Sequence, residues 1–600
     1  MSQEDNGPKV NVTKVNVTAP FVWKPTVSSS HNTAPMATVK PPLVPVNDFP
    51  SIIKAIEEMN GYPMSQEQLR ICEFVHFKEG NAIINAVAGS GKTTTLLYLL
   101  WVLPPMSRIL MLSFNKSVQS HLQIRVHETK SNVLARLQRS MPPCEVKTAH
   151  AHGLTALRKR YSLQMENENF AKDNKSQVVA EAMNADEDPN IHTLLKPWKF
   201  HMIAMLKMLF NLALDCSDTT RWSKEFIMEC GEKYGIPLPQ FSSRAMSKKA
   251  RQENEAYVAY FRVLRRAYEA CLVRHERFDF SDMEYLPVRL GLDLTRYDVI
   301  LVDEAQDLSA IQIEMISRSL HCTNQSVNQG SGRVIFVGDA NQSIYGFRGS
   351  LPQSISHISE RFRCVSLPLT ISWRCSQRVV EVAADIVPEI RSRPNAPLGN
   401  AVMPNQDKVL DYIRERDPNE EHMILARTNA PLIDLAIQLQ KEGIPAVMTA
   451  PTFCENLKFL LNQVESAHWI NGHSLLDRAY KYASWLRESM KEKGEEAVNK
   501  TDRLDSLLSI IKATQRADMD KVLVKIDSIF SCREQEHDLD TCKLLTVHQA
   551  KGMESDVVYV IATHLFPHPK CKDNDWQLEQ ERNAQYIAIT RAKQDLYYFV

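Results

Sequence analysis

The sequence predicts an α/β protein in which helices cover parallel sheets. Apolar runs of strand length alternate with segments of helical periodicity from about residue 51 onward. Residues 81–113 follow the order strand, helix, strand, which is one βαβ unit. The 600 residues also exceed what one hydrophobic core supports, so we expect about four domains.

The predicted elements follow one another in a simple order. The first 48 residues are rich in proline, and we expect them to form a disordered arm. A strand at 81–87 leads to a helix at 94–103, which two prolines end, and then to a strand at 108–113. Further strands are predicted at 299–302, 334–337, 543–547 and 557–561.

Two long helical stretches interrupt this pattern. Large apolar residues recur at three- and four-residue spacing in 198–214, 257–272 and 475–490, and the charged run 491–496 is predicted to be a solvated turn. The predicted domains are an arm (1–48), a first α/β domain (49–153 and 277–358), its helical insertion (154–276), a second α/β domain (359–454 and 540–600) and its helical insertion (455–539).

Composition and charge narrow the class of protein. Lysine and arginine number 71, as do aspartate and glutamate, which argues against a polybasic nucleic-acid binder but leaves room for one basic groove. Twelve cysteines without a repeated CxxC pattern indicate free thiols in a reducing compartment. The sequence shows no signal peptide and no apolar run long enough to cross a membrane. We therefore expect an intracellular protein, in the cytoplasm, the nucleoid or a nucleus.

The sharpest local motif is Ala-Val-Ala-Gly-Ser-Gly-Lys-Thr at 86–93, between a predicted strand and a predicted helix. Its glycines allow backbone amides to face anionic oxygens, Lys92 is placed to reach the β and γ phosphates of a nucleotide, and Thr93 to ligate Mg²⁺. Because Ala86 stands where glycine is usual, a purely structural turn is the alternative interpretation. The residues predicted to hold the nucleotide here are Ala88, Gly89, Ser90, Gly91, Lys92, Thr93 and Thr94.

A pair of carboxylates gives the second signal. Asp303 and Glu304 directly follow the apolar strand 299–302. Asp303 is suited to hold Mg²⁺ together with Thr93, and Glu304 to orient or deprotonate an attacking water. Together with the phosphate loop, this pair predicts a magnesium-dependent nucleoside triphosphate hydrolase, with no indication of what the hydrolysis drives.

Longer motifs carry a resemblance to a known family. The segments Asp-Glu-Ala-Gln-Asp at 303–307 and Val-Gly-Asp-Ala-Asn-Gln-Ser-Ile-Tyr-Gly-Phe-Arg-Gly at 337–349 resemble the UvrD/Rep family of superfamily-one DNA helicases, and further motifs follow the family order from residue 64 to 592. The resemblance implies two RecA-like P-loop motor domains with helical insertions, ATP in the cleft between them and single-stranded DNA across the top. It implies an ATP-dependent DNA helicase that moves 3′-to-5′ and serves replication, recombination or repair.

The resemblance also implies roles around the nucleotide. Gln68 would hydrogen-bond the adenine edge, Trp373 would stack on adenine although Ser372 and Trp373 replace the usual Asn-Tyr, and Glu554 would meet the ribose. The implied catalytic residues, which include a γ-phosphate sensor at Gln342 and two arginine fingers from the second motor domain, are Lys92, Asp303, Glu304, Gln342, Arg374 and Arg591.

A further set of residues is implied to contact DNA. Aromatic faces accept any base, which suits tracking along a single strand without sequence preference. Phe114, Tyr345 and Phe347 also admit an interpretation as ordinary core aromatics. The implied DNA-binding residues are Phe114, Asn115, Lys116, Thr148, His150, Tyr345, Phe347, Arg348, Thr546 and His548.

Several alternatives stay open at this point. The motor motifs fit a translocase that displaces bound proteins with little unwinding, and they leave RNA possible as a substrate, whereas a non-catalytic scaffold would not need the catalytic set. Zinc is not expected at His150 and His152, nor at His564, His568 and Cys571, because a complete ligand set is missing. Expected partners are single-stranded DNA, tailed duplex DNA and a protein bound through the arm, and the chain is expected to be a monomer or a weak oligomer.

Overall fold

The computed structural model describes residues 48–161, 174–212, 223–234, 236–239, 241, 248–273, 278–321, 332–346, 354–467, 470, 474–489, 494–530, 541–568, 571 and 575–600. The predicted arm, apart from residue 48, lies outside this part of the chain. The described residues form an α/β structure built on two parallel sheets, as the alternation of strand and helix patterns predicts.

The first sheet has six strands in the described part of the chain, in the spatial order β3-β2-β4-β5-β1-β6, and all neighbours are parallel. Its four central strands are buried on both faces, which explains their nearly continuous apolar sequences. The strands are β1 (Ala82–Ala86), β2 (Ile109–Ser113), β3 (Cys144–Thr148), β4 (Val299–Val302), β5 (Arg333–Gly338) and β6 (Val365–Leu369). The four strands predicted at 81–87, 108–113, 299–302 and 334–337 are thereby confirmed.

Helices cover both faces of this sheet. The helix predicted at 94–103 is confirmed and begins two residues earlier, because Gly91 turns the chain directly into it. It ends at Val102, two residues before Pro104. In chain order the first five helices are α1 (Phe49–Asn60), α2 (Gln66–Phe77), α3 (Lys92–Val102), α4 (Lys116–Leu137) and α5 (Ala149–Tyr161).

The first helical insertion packs around a hydrophobic core separate from that of the sheet. The periodic segments predicted at 198–214 and 257–272 are confirmed as helices over the residues that the structure describes. This core also takes in Ala149 and Leu286, which lie outside the predicted bounds 154–276. The helices from here to the second sheet are α6 (Asn174–Asn184), α7 (Ile191–Leu195), α8 (Lys199–Asn211), α9 (Lys224–Lys233), α10 (Lys248–Val273), α11 (Phe280–Arg289), α12 (Ala310–Arg318) and α13 (Ser354–Phe362).

The predicted boundary between the two α/β domains, at 358/359, is wrong. β6 pairs with β1 along its whole length, from Ala82 beside Val365 to Ala86 beside Leu369, so residues 365–369 belong to the first sheet. The strand is mostly exposed and contains Pro368, and such an edge strand lacks the apolar run that marks the central strands. The crossover to the second sheet therefore comes after residue 369.

The second sheet also has six described strands, in the order β11-β12-β10-β13-β14-β9, and its neighbours are parallel. A two-stranded ladder of β7 and β8 precedes it. The strands are β7 (Ile371–Ser372), β8 (Arg391–Ser392), β9 (Asn400–Val402), β10 (His422–Ala426), β11 (Ala446–Met448), β12 (Cys542–Thr546), β13 (Ser555–Val560) and β14 (Ala592–Tyr598). The strands predicted at 543–547 and 557–561 are thereby confirmed.

The second insertion shares one hydrophobic core with its sheet: Leu461 and Leu507 belong to the same cluster as Ile424 and Leu544. The run 491–496 is in part not the predicted turn, because helix α19 begins at Gly494. The remaining helices are α14 (Gln377–Ala384), α15 (Val409–Arg414), α16 (Ala430–Lys441), α17 (Pro451–Ser466), α18 (Leu475–Ser489), α19 (Gly494–Ala513), α20 (Met519–Phe530) and α21 (Asp575–Ile589). Among the described residues, no helix is both long and apolar enough to cross a membrane.

Candidate active site

The loop between β1 and α3 lies at the carboxyl edge of the first sheet, where parallel α/β sheets bind ligands. Gly89 and Gly91 have φ angles of 69° and 80°, a region that glycine adopts without strain, and Gly91 is the N-cap of α3. A Cβ atom on Gly89 would lie 2.6 Å from the Cβ of Arg374, so glycine is also needed for close contact with the second α/β domain. The Ala88 amide donates a hydrogen bond to the Tyr586 hydroxyl at 3.0 Å, which is another contact between the domains.

The structure brings the phosphate loop and the acidic pair together. The Lys92 ammonium donates to Oε2 of Glu304 at 3.0 Å, and the Thr93 hydroxyl donates to Oδ2 of Asp303 at 2.9 Å. β1 and β4 are not neighbours in the sheet, since β5 lies between them. Their carboxyl ends nevertheless converge on one site, as the two motifs together predict.

Burial and neighbouring charges give the carboxyl groups of Asp303 and Glu304 different pKa values. Burial, reinforced by the neighbouring Glu304, raises the pKa of Asp303 to about 6. Burial also acts to raise the pKa of Glu304, but Lys92, Lys551 and a hydrogen bond from Gln306 outweigh it and lower that pKa to about 2. At neutral pH Glu304 is therefore an anion, while Asp303 is close enough to its pKa to respond to mild acid.

The oxygen atoms at this point fit a divalent cation. The Thr93 hydroxyl and the Asp303 carboxylate are hard oxygen donors within hydrogen-bonding distance of each other, beside amides suited to phosphate. Mg²⁺ is commonly held by one or two protein oxygens together with substrate phosphates. Thr93 and Asp303 are therefore suited to hold Mg²⁺ with a nucleotide.

A chain of hydrogen bonds leads away from Glu304. The Gln306 amide donates to Glu304 at 2.5 Å, and its carbonyl oxygen accepts from the Asp339 amide at 3.0 Å. The Gln342 amide donates to the Asp339 carboxylate at 2.7 Å. Burial raises the pKa of Asp339 to about 6, and Lys92 opposes that rise. Gln342, the predicted γ-phosphate sensor, thus belongs to the same buried network as Glu304.

Lys551 joins this network from the second α/β domain, although it was not among the predicted site residues. Its ammonium donates to Oδ2 of Asp307 at 2.5 Å and to the carbonyl of Gln342 at 2.7 Å. Both side chains are buried, at 7% exposure for Lys551 and 0% for Asp307. The ammonium also lies 4.8 Å from the ring centre of Tyr345. Both residues stand within motifs that the sequence shows, but only the fold pairs them.

Two arginines line the second α/β domain at the cleft. Arg374 donates through Nε to Glu554 at 2.6 Å and through Nη1 to the Thr590 carbonyl at 3.2 Å, so the finger and the ribose-binding residue implied by the resemblance form an ion pair. Arg591 is 1% exposed and donates to the carbonyls of Ile587 and Met553 at 3.0 and 2.9 Å. Burial and the nearby Arg374 lower the pKa of Arg591. A finger role for either arginine stays a prediction.

The predicted base-binding residues lie beside the phosphate loop. The Trp373 amide donates to the Gly89 carbonyl at 2.8 Å, and the Trp373 ring stacks on Tyr62, with 5.7 Å between ring centres. Gln68 is buried, and its side chain accepts from the Ser65 amide at 3.1 Å as part of a capping box at the start of α2.

Two other predicted loop residues already have partners. The Ser90 hydroxyl donates to the Val87 carbonyl at 2.8 Å. The Thr94 hydroxyl accepts from Arg125 at 3.1 Å. Contact of these side chains with a nucleotide stays a prediction.

Two predicted DNA-contacting aromatics form one platform. Phe114, at the end of β2, stacks on Tyr345 with 5.5 Å between ring centres and 13° between ring planes. Phe114 is 37% exposed, so it is not the ordinary core aromatic of the alternative interpretation. The Tyr345 hydroxyl donates to the His548 carbonyl at 3.4 Å, which adds a link to the second domain. Phe347 and Arg348 lie outside the described residues.

Other predicted DNA contacts are engaged within the chain. The Asn115 side chain accepts from the Val118 amide at 2.9 Å and so caps α4, and Lys116 donates to Gln119 at 3.1 Å. The Thr148 hydroxyl accepts from Ala151 at 3.2 Å. The Thr546 hydroxyl donates to the Gln549 side chain at 2.9 Å. These residues lie at the carboxyl edges of the sheets, but their contact with DNA stays a prediction.

The two neighbouring histidines, His150 and His152, contact different partners. His150 Nδ1 lies 3.3 Å from Oε1 of Glu284, a buried carboxyl whose pKa burial raises. His152 is buried, and its Nε2 lies 2.8 Å from the Ser319 hydroxyl. The pair therefore does not converge on a common point.

Models of two protein domains match this chain. The UvrD/REP helicase N-terminal domain matches residues 64–363, and the UvrD-like helicase C-terminal domain matches residues 470–600. Each described site residue discussed above lies inside these two segments except Tyr62, Trp373 and Arg374.

Individual relatives are similar at low identity. The chain is 22% identical over 648 aligned residues to "ATP-dependent DNA helicase Rep" of Salmonella typhimurium, with 87% of this chain and 89% of the relative covered. It is 21% identical over 448 residues to "Probable DNA helicase II homolog" of Mycoplasma capricolum, with 56% and 61% covered. It is 34% identical over 124 residues to "ATP-dependent DNA helicase PcrA" of Bacillus subtilis, with 18% and 17% covered. The chain thus spans less than two thirds of the length of these last two relatives.

Proposed function

The chain belongs to the UvrD/Rep helicase family, and from this premise we propose that it is an ATP-dependent DNA helicase. One observation carries the proposal: Lys92 and Thr93 of the phosphate loop contact Glu304 and Asp303 at 3.0 and 2.9 Å. A loop that only turned the chain would not need a buried aspartate and a partly buried glutamate against a hydroxyl and a lysine. The names of the relatives, which include Rep and PcrA, support ATP and DNA as the substrates.

Each residue of the site has a separate proposed role in ATP hydrolysis. Loop amides and Lys92 bind the phosphates. Thr93 and Asp303 would hold Mg²⁺, which would supply positive charge against the phosphates. Glu304, an anion at neutral pH, orients the attacking water and accepts its proton. Gln342 senses the γ phosphate through the network that contains Glu304.

The second motor domain completes the site. Arg374 lies against the phosphate loop. A Cβ atom added to Gly89 would be only 2.6 Å from the Cβ of Arg374. We assign it the role of an arginine finger, which stabilises the charge that develops on the transferred phosphoryl group, and Arg591 the role of a second finger. Breaking the Arg374–Glu554 ion pair would free both side chains for the nucleotide.

Single-stranded DNA is proposed to cross the Phe114–Tyr345 platform. Base stacking on such a platform contributes about 1–3 kcal/mol per base, with little dependence on sequence. Tyr345 also contacts Lys551, whose other partners belong to the hydrolytic network, so the strand and the nucleotide share one buried set of contacts. We propose 3′-to-5′ movement and a role in replication, recombination or repair, by analogy with the family.

The proposed compartment is a reducing one inside the cell. The structure describes nine cysteines, and each of them is a free thiol. Burial raises the pKa of several, including Cys72 and Cys144 to about 12, which keeps those thiols protonated and unreactive.

The test is ATP turnover with and without single-stranded DNA, in the intact protein and in Glu304→Gln. We expect DNA to stimulate turnover of ATP by the intact protein. Glu304→Gln should lower this turnover by about 10²- to 10⁴-fold and still bind ATP. Glu73→Gln, at an exposed position on α2, is the matched control and should behave as the intact protein does. Unwinding of duplexes with a 3′ or a 5′ single-stranded tail is measured in parallel.

The results distinguish a helicase from a translocase, an RNA-dependent enzyme and a non-catalytic scaffold. Opening of the 3′-tailed duplex alone supports the helicase and its polarity. Stimulated turnover without opening of either duplex favours the translocase, and stronger stimulation by RNA than by DNA makes RNA the substrate. No turnover under any condition contradicts an enzyme and leaves the scaffold.

A further inference from the structure

An aromatic pair spans the cleft near the phosphate loop. The rings of Tyr62 and Trp373 lie 5.7 Å apart between centres, with 29° between their planes. Tyr62 directly follows Gly61, whose left-handed conformation ends α1, and it precedes the capping box that starts α2. Trp373 directly follows β7. The pair therefore joins the first motor domain to the start of the second.

A backbone contact fixes Trp373 next to the nucleotide site, and Tyr62 lies beside it through the ring stack. The Trp373 amide donates to the Gly89 carbonyl at 2.8 Å, within the phosphate loop. Gln68, three residues after Ser65, brings its side-chain nitrogen to 3.6 Å from the position of a Cβ on Gly91. Tyr62 thus approaches from the α1–α2 turn while Trp373 approaches from the opposite domain.

Tyr62 is supported from below but open on its outer side. Tyr62 is 47% exposed although its ring stacks on Trp373, so part of its surface is open to solvent. Burial, together with the neighbouring Tyr62, raises the pKa of Tyr98, and the Tyr98 hydroxyl accepts from the Asn60 amide at 2.7 Å. These contacts hold the base of the turn and leave the Tyr62 ring available to a ligand.

We propose that Tyr62 is a base-binding residue, which together with Trp373 forms the two aromatic walls for the purine ring of the nucleotide. This inference rests on the proposed function. Two stacking contacts of about 3.5 Å each require a separation of about 7 Å, so the rings must part by roughly 1–2 Å to admit a base. A turn between two helices allows such a shift.

The chemistry of the pair suits a purine. Both rings present a π face, and stacking recognises a flat aromatic base without any hydrogen bond to it. Gln68 lies at the same end of the site and can supply a hydrogen bond to the base edge. Because one wall belongs to each motor domain, a bound base would also hold the cleft together.

The competing interpretation is that Tyr62 only packs the two domains against each other. The two interpretations differ in which part of the nucleotide the residue affects. A base-binding Tyr62 acts on ATP but not on a ligand that lacks the base. A packing Tyr62 acts on every ligand that requires the same domain arrangement.

The experiment compares ATP with inorganic tripolyphosphate as ligands of the full chain. Equilibrium binding of each is measured for the intact protein, Tyr62→Ala and Tyr62→Phe. We expect Tyr62→Ala to weaken ATP binding by about tenfold, the loss expected for one aromatic stack, and to leave tripolyphosphate binding unchanged. Tyr62→Phe keeps the ring and should bind ATP as the intact protein does. Tyr480→Ala, at a tyrosine of similar 42% exposure in the second insertion, is the control.

The other outcomes overturn the inference. Equal weakening of ATP and tripolyphosphate in Tyr62→Ala makes the residue a packing contact, and unchanged ATP binding removes it from the site altogether. Either result leaves the proposed function intact as long as the intact protein binds ATP and Lys92→Ala does not. If the intact protein fails to bind ATP at all, the proposed function itself fails, and Tyr62 has no base to hold.

Discussion

The two parallel sheets differ at the point where a strand leads into a helix. In the first sheet, β1 leads through Gly89 and Gly91 into α3, and the loop is lined by Lys92 and the acidic pair. In the second sheet, the interior strand β10 leads through Arg427 into α16 with no glycine between them. The amide of Ala430 at the start of α16 donates to the Asp502 carboxylate at 2.8 Å.

This difference gives a physical reason for the proposed nucleotide site to lie at the first sheet and not at the second. The N-terminus of a helix attracts an anion through its free amides and its dipole. At α3 those amides face the site for phosphate, whereas at α16 the carboxylate of Asp502 from α19 already binds the amides of Asn429 and Ala430. Arg427 is likewise bound, with two nitrogens on the buried carboxylate of Glu581 at 2.6–2.9 Å.

The largest effect expected from this comparison concerns the two basic residues that follow β1 and β10. Lys92→Ala removes the phosphate-binding ammonium, so we expect turnover to fall by about 10²- to 10³-fold. Its loss of stability should be smaller than that of Arg427→Ala, because the carboxylate it leaves, Glu304, is 26% exposed and Glu581 only 6%. Arg427→Ala leaves the buried Glu581 carboxylate without its ion-pair partner, so we expect a loss of about 3 kcal/mol in the free energy of unfolding. The affinity for ATP should not change. Steady-state turnover and thermal unfolding are measured for both. Loss of ATP affinity in Arg427→Ala would contradict the comparison.

A second effect concerns the contact between the domains. Lys551→Met leaves Asp307 buried without its partner, and we expect a loss of about 3 kcal/mol in the free energy of unfolding. Breaking a buried ion pair costs about 3–5 kcal/mol. We expect the lower value because burial raises the pKa of Asp307 to about 6, so this carboxylate can take up a proton. The stimulation of turnover by DNA should fall more than basal turnover.

The control for this pair is the double variant Lys551→Met with Asp307→Asn. It removes both charges, so it should recover part of the stability but none of the DNA stimulation. Full DNA stimulation in Lys551→Met would show that the contact with Tyr345 and Gln342 does not couple the two ligands.

A smaller effect is expected at the start of α16. Asp502→Ala removes a carboxylate that binds the amides of this helix end, and loss of such a cap costs about 1–2 kcal/mol. ATP affinity and turnover should not change. Asp502→Asn, which keeps one acceptor oxygen, should lose less stability. An unchanged thermal midpoint in Asp502→Ala would show that the amides of α16 do not depend on this anion.

The smallest effect is a pH dependence at the metal site. The pKa of Asp303 is raised to about 6, so its protonated form competes with a cation in mild acid, whereas Glu304, with a pKa of about 2, stays ionised. Between pH 7.5 and 5.5 the ionised fraction of Asp303 falls, and Mg²⁺ affinity in the presence of ATP should drop by about fourfold. Thr93→Ser should show the same dependence, and Asp303→Asn should lose it. A flat profile in the intact protein would contradict the raised pKa.

Much of the fold follows from sequence patterns. β1, β2, β4 and β5 are apolar runs because both faces of the sheet are covered, and the phosphate loop is readable because glycines stand between a strand and a helix. The sequence does not predict β6, because an exposed edge strand with a proline carries no such pattern.

The site was predictable where its residues are close in sequence. Lys92 and Thr93, or Asp303 and Glu304, form motifs that carry their own chemistry. Pairs such as Lys551 with Asp307, or Tyr62 with Trp373, unite residues more than 200 positions apart, and only the tertiary structure shows that they touch. Asp307 nevertheless ends the 303–307 motif, and Lys551 lies between His548 and Glu554, to which the resemblance assigns roles. Charged residues this close to predicted site residues are a usable signal.

The most direct test of the account is the stoichiometry of nucleotide binding. Equilibrium dialysis with a non-hydrolysable ATP analogue is carried out on the intact protein, Lys92→Ala and Asp502→Ala. We expect about one nucleotide per chain in the intact protein and in Asp502→Ala, and almost none in Lys92→Ala, because of the two described helix ends compared above the one at α3 carries the phosphate-binding lysine. A nucleotide that stays bound in Lys92→Ala, or a value near two in the intact protein, would contradict it.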